Sequence, residues 1–147
     1  MAHLRKQIRD RVVTNLTGLT TTGSRVFASR VYPMAAGNLP GLCIYTKNEE
    51  IEALTMVPPR TTLRAVTLTI EGYASATSNL DATLDAISLE VEEALAGDIR
   101  QNNLARDTRT TGIEFEYADD GEQPIGMVRL DVTVEYVTAE NDLENAA

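Results

Sequence analysis

From Gly126 to Thr138 the chain reads GMVRLDVTVEYVT. Val128, Leu130, Val132, Val134 and Tyr136 alternate there with Arg129, Asp131, Thr133 and Glu135. A period of two is the signature of a strand with one face in a core and the other in water. The same alternation runs through LRAVTLTIEGY, where Val66, Leu68 and Ile70 oppose Thr67, Thr69 and Glu71, and it predicts a strand from Leu63 to Tyr73. In TGIEFEY, Ile113, Phe115 and Tyr117 alternate with Glu114 and Glu116. That strand is expected to pair with the last one through ADDGEQPIG, which carries an Asp120-Gly121 turn signal.

Two segments change period. Leu4, Ile8, Val12 and Leu16 recur every fourth residue before Gly18, which predicts an amphipathic helix over 3–16. Leu80, Leu84, Ile87, Val91 and Ala94 form a second stripe, opened by Ser78 as N-cap with Asp81 three residues on and closed by Gly97. Between the helices, TGLTTTGS reads as a linker, Arg25 to Tyr32 as a short strand ending before Pro33, and Leu42 to Thr46 as another. KNEEIEALTMVPPRTT, 47–62, is expected to be a long connecting loop, and long loops are commonly functional. DIRQNNLARDT reads as a polar loop.

Three strands that hide only one face require both helices on that face. The expected fold class is α+β: a two-layer sandwich whose mostly antiparallel sheet is covered on one face by two helices. Residues 1–138 form a single domain in this reading, and the acidic tail 139–147 is flexible.

At 147 residues the chain is long enough to bury a core without a disulfide or metal staple. It has no apolar run long enough to span a bilayer, and a charged start where a signal peptide needs an apolar stretch, so a cytoplasmic setting and no membrane are expected. The lone Cys43 sits in LCIYT, where a buried inert thiol is the plain expectation. Net charge is -9, yet Arg5, Lys6, Arg9 and Arg11 crowd the first helix, leaving the remainder more acidic still. Such a surface repels phosphate and disfavours stable nucleic-acid binding. The basic helix is expected to present a solvated face, with partner docking as the alternative.

Reactive groups are few. The only histidine, His3, lies near the N-terminus, where disorder is usual, and with one Cys the chain lacks the ligands of a structural zinc site. Phosphate-cradle and nucleophile-elbow motifs are absent. The adjacent acids Glu49/Glu50, Glu92/Glu93 and Asp119/Asp120 are expected in solvated settings that leave them ordinary carboxylates. No catalytic residue, metal or cofactor is therefore expected.

What remains is the polar edge of the alternation. Pairing of the last two strands puts Glu114, Glu116, Arg129, Asp131, Thr133 and Glu135 on one face, which is either simply wet or a contact for a neighbouring subunit or polar lumen.

The helix LRKQIRDRVVTNL, then VFASRVYP and LPGLCIYTKNEE, then RAVTLTIEGYA leading into NLDATLDAISLEVEEALAG, and finally GIEFEYADDGEQPIGMVRLDVTVEYV together resemble a family. It is that of the tail terminator proteins of long-tailed bacteriophages, the lambda-type minor tail protein U family, and the likeness runs from Leu4 to Thr138. The resemblance implies a structural virion protein at the head-proximal end of the tail. It would cap the tail tube as a homohexameric ring, stop polymerisation and offer a surface for the head-tail neck protein, while DNA passes through without specific binding. On that reading Glu114, Glu116, Arg129, Asp131 and Glu135 are candidates for subunit or lumen contact, and Glu49, Glu50, Glu52 and Arg60 for the tail tube protein. The PPR-containing loop and the polar stretch from Ile99 to Thr108 depart from the family pattern. A head-tail connector or neck completion protein, or a small module binding peptides by strand addition, would share these features.

Overall fold

In the computed structural model the chain is described over residues 2–28, 40–75, 79–118 and 125–146. The elements are α1 (Leu4–Leu16), β1 (Val26–Phe27), β2 (Gly41–Ala53), β3 (Thr61–Ser75), α2 (Leu80–Ala96), β4 (Asp107–Ala118) and β5 (Ile125–Ala139). They build one sheet of order β1-β2-β3-β5-β4, antiparallel throughout except where β1 pairs with β2. The last strand thus enters between β3 and β4, which α2 connects, and becomes the centre of the long strands. The expected α+β sandwich is the observed one.

Both helices cover the same face. Leu4, Ile8, Val12 and Leu16 of α1 are fully buried against Leu42, Ile44, Val66, Leu68 and Ile70 of the sheet. Leu84, Ile87, Val91 and Leu95 of α2 join Val128, Leu130, Val132, Val134 and Tyr136 of β5 in the same cluster. Two strand glycines set how closely α2 can approach: a Cβ on Gly72 would lie 2.6 Å from Ile87 Cγ2, and one on Gly126 would lie 3.0 Å from Leu80 Cδ2 and Leu84 Cδ1.

His3 has a defined place: its Nδ1 accepts the Arg5 backbone N–H at 3.0 Å, so it serves as the N-cap of α1. The arginines of α1 reach other elements and hold the helix, whereas Lys6 stays in solvent beside Asp10. Arg9 donates to Thr46 Oγ1 at 2.8 Å, and Arg11 Nε to Asp98 at 3.0 Å. Gly97 is the C-cap of α2 as expected, while the proposed N-cap Ser78 and the Asp120-Gly121 turn lie outside the described residues, as does the second half of the strand expected over 25–32.

Three expectations are corrected. First, the segment 47–62 is mainly strand: β2 continues to Ala53 and pairs with β3, leaving only 54–60 as the turn of a hairpin. A bulge between Thr46 and Asn48 shifts the inward positions from even to odd numbers, which breaks the sequence alternation at Lys47. Second, Ile113, Phe115 and Tyr117 are exposed, at 39, 45 and 56%. They point to the helix side, but β4 is the outermost strand and lies beyond what α2 covers. Third, the acidic tail folds back on the domain: Leu143 O accepts from Leu4 N at 2.7 Å, Glu144 O from Gln7 Nε2 at 2.9 Å, and Glu140 Oε2 from the Arg60 backbone N–H at 2.6 Å.

The contact at Gly72 gives a direct test. Gly72→Ala should destabilise the fold by about 1–3 kcal/mol through overpacking against Ile87. It should appear in urea denaturation as a lower midpoint with an unchanged slope.

Candidate functional site

Directly paired residues share a face, so the register defines the uncovered side of the sheet. Arg129 on β5 pairs with Glu71 on β3 and with Glu114 on β4. Its guanidinium contacts Glu71 Oε2 at 3.0 Å, and Glu114 and Glu116 at 3.4 Å each. Burial opposes the charge on Arg129, but the hydrogen bond and charge of Glu71 outweigh it and raise its pKa. Glu71 is 5% exposed and also accepts from Tyr73 Oη at 3.1 Å. Tyr73 is pushed well up, first by burial and then by the Glu71 charge.

Asp131 accepts from Lys47 Nζ at 3.5 Å and Thr69 Oγ1 at 3.2 Å. Arg109 reaches Glu135 and Asp107 at 3.0 Å each. Glu50 and Glu52, paired across from Ala65 and Leu63, continue this face onto the projecting end of β2. The sequence-predicted residues Glu114, Glu116, Arg129, Asp131 and Glu135 are thus brought together on one face. Glu71, Lys47 and Arg109 belong with them and were not singled out from sequence. Glu71 is in phase with Thr67 and Thr69 and could have been found, whereas Lys47 sits at the bulge. Carboxylates outnumber cations on this face, and shallow grooves along it are lined by such pairs as Arg109 with Glu135 and Arg129 with Glu114.

Glu49 lies elsewhere. Paired with Val66, it points to the helix side, where Oε2 takes Arg5 at 2.7 Å and Arg64 at 3.2 Å, while Oε1 accepts from Tyr136 Oη. Its side chain is 8% exposed. Burial, and then the hydrogen bond to Glu49, raise the Tyr136 pKa. The group locks α1 to β2, β3 and β5 and is not placed to touch a partner. Arg60 sits on the hairpin turn, exposed and loosely paired with Glu140 at 3.4 Å.

The rest of that turn is apolar and open, with Met56 87% and Val57 77% exposed. Among the described residues no group of three or more His, Cys, Asp or Glu side chains is placed to hold a metal ion, and no helix is long and apolar enough to cross a membrane. Cys43 is buried.

The sequence matches phage minor tail protein U over residues 3–136. The chain belongs to that family. It is therefore a structural protein of the phage tail. No curated protein matches it. Among solved structures, a chain from the virion of a native gene transfer agent particle is similar, with 18% identity over 90% of this chain and 92% of that one, at a TM-score of 0.44. At that distance the likeness carries no further inference.

Two outcomes test these side-chain assignments in this tail protein. Glu49→Ala leaves two arginines facing each other and should cost about 3–5 kcal/mol in equilibrium unfolding. Tyr73 and Tyr136 have folded pKa values raised above the unfolded value of about 10. Their contribution is therefore full below pH ~10 and is lost as pH rises through the folded values. Unfolding followed from neutral to strongly alkaline pH should show that decline, and Tyr136→Phe should make it shallower.

Proposed function

We propose that this minor tail protein caps the phage tail tube as a homohexameric ring, ends tube polymerisation and presents the surface to which the head-tail neck protein joins. The observation that carries the reading, beyond family membership, is the division of the sheet: helices close one side, while an acid-rich, ion-paired side stays open. Glu114, Glu116, Arg129, Asp131 and Glu135 are assigned to a subunit or lumen contact. Glu50, Glu52 and Arg60 are assigned to the tube, and Glu49 is withdrawn from that set because it is held inside the fold.

The mechanism needs no catalysis and no cofactor. Monomers of net charge -9 repel one another in solution. On a tube end each copy also gains a tube contact, which raises its effective concentration beside the next copy, so weak subunit contacts suffice to close the ring there. Carboxylates facing a lumen hold no phosphate, and DNA passes without being retained. The protein would act in the host cytoplasm during assembly and remain at the head-proximal end of the tail.

Tails assembled with and without the protein, viewed by electron microscopy, test the reading. Tubes should overgrow without it and stop at a uniform length with it; equal lengths in both would rule out termination, and binding to heads alone would indicate a connector. Glu114→Lys with Glu116→Lys alters exposed groups whose pairing contributes little to stability. This variant should fold normally yet cap poorly, and unimpaired capping would remove the polar face from the interface.

A further inference from the structure

Two exposed apolar patches are not used by the fold or by the polar face. One is the hairpin turn 54–60, with Leu54, Met56 and Val57 open to solvent at 47, 87 and 77%. The other is the stripe Ile113, Phe115 and Tyr117 on β4, the outer strand of the sheet. Apolar side chains grouped in this way mark contact surfaces more often than scattered single ones do.

They stand far apart. Phe115 is level with Val128 and hence with Gly72, whereas the turn begins beyond the pair of Ala53 with Thr62. At about 3.3 Å per residue the two patches lie roughly 40 Å apart along the strands, so neither can cover the other within one molecule.

Their charges are complementary. From Ala53 to Thr61 the sequence ALTMVPPRT contains no acid and one cation, Arg60, in a chain of net charge -9. Acids of α2 flank the β4 stripe: Asp81 accepts from Tyr117 Oη, and the charges of Asp81 and Asp85 help raise the Tyr117 pKa. The turn residues themselves thus add no like charge to that rim, and the Glu140 that Arg60 meets at 3.4 Å forms only an exposed, exchangeable pair with its guanidinium.

We propose that the turn of one copy seats Met56 and Val57 on the Ile113–Phe115–Tyr117 stripe of the next copy, with Arg60 turned to Asp81 and Asp85 there rather than to the tube. This rests on the ring reading and gives it a seam. Unlike patches meeting head to tail leave one turn and one stripe free at the ends of any open chain, and a ring satisfies both. Closure further requires the two patches to lie at one height along the ring axis, which runs the strands around the circumference.

Disulfide trapping tests the seam. The full-length double variant Val57→Cys with Phe115→Cys, oxidised in concentrated solution and again on isolated tail tubes, should give a ladder extending past the dimer on non-reducing gels. Either single variant should give none. Both positions are exposed, so folding is not at stake, and Cys43 is buried and does not compete. Val57→Cys with Leu89→Cys, the latter 56% exposed on α2, is the collision control. A ladder equal to the control, a band that stops at the dimer, a cross-link from Val57→Cys to the tube protein instead, or no ladder in either setting would overturn the seam. Normal tube capping without a ladder refutes the seam and leaves termination standing. A ladder in solution without any effect on tube length does the reverse.

Discussion

Burial of one side of β3 and β5 under two helices is the constraint from which the other features follow. Each strand has two sides, and only one can be covered by α1 and α2, so the polar residues of β5 are displayed together on the other. The close approach of Ile87 to Gly72 and of Leu80 and Leu84 to Gly126 fixes α2 against the centre of the sheet. That placement leaves the outer strand β4 short of cover. The open stripe on β4 thus follows from where the helix sits.

The charged side chains divide into two groups with different work. On the helix side, Arg5, Arg64 and Tyr136 all meet Glu49 and so join α1 to three strands, and loss of Glu49 takes away the one carboxylate they share. On the open side, Glu71 binds Arg129 tightly, whereas Glu114 and Glu116 meet the same guanidinium from solvent. Arg129 therefore braces the face as well as displaying it. The exposed glutamates are the members free to meet another molecule, because their local pairing is weak.

For a member of the phage minor tail protein U family, this arrangement suits assembly. Under the proposed ring reading, an acidic surface would keep copies apart until another contact brings them together, and the apolar turn and stripe, too far apart to meet in one molecule, would meet between copies.

The sequence by itself determined the elements whose pattern is continuous. Apolar spacing of three and four residues marked both helices, and unbroken alternation marked β3 and β5 and the membership of Glu114, Arg129, Asp131 and Glu135 in one polar face. Only the tertiary structure decided what depends on neighbours distant in the chain. The second half of β2 was hidden by a bulge that reverses its phase, and Glu49 was taken for a loop acid because nothing near it in sequence announces Arg5, Arg64 or Tyr136. The exposure of Phe115 was equally illegible: alternation tells which side of a strand a residue occupies, but whether that side is covered depends on strand order and on the reach of a helix packed two strands away.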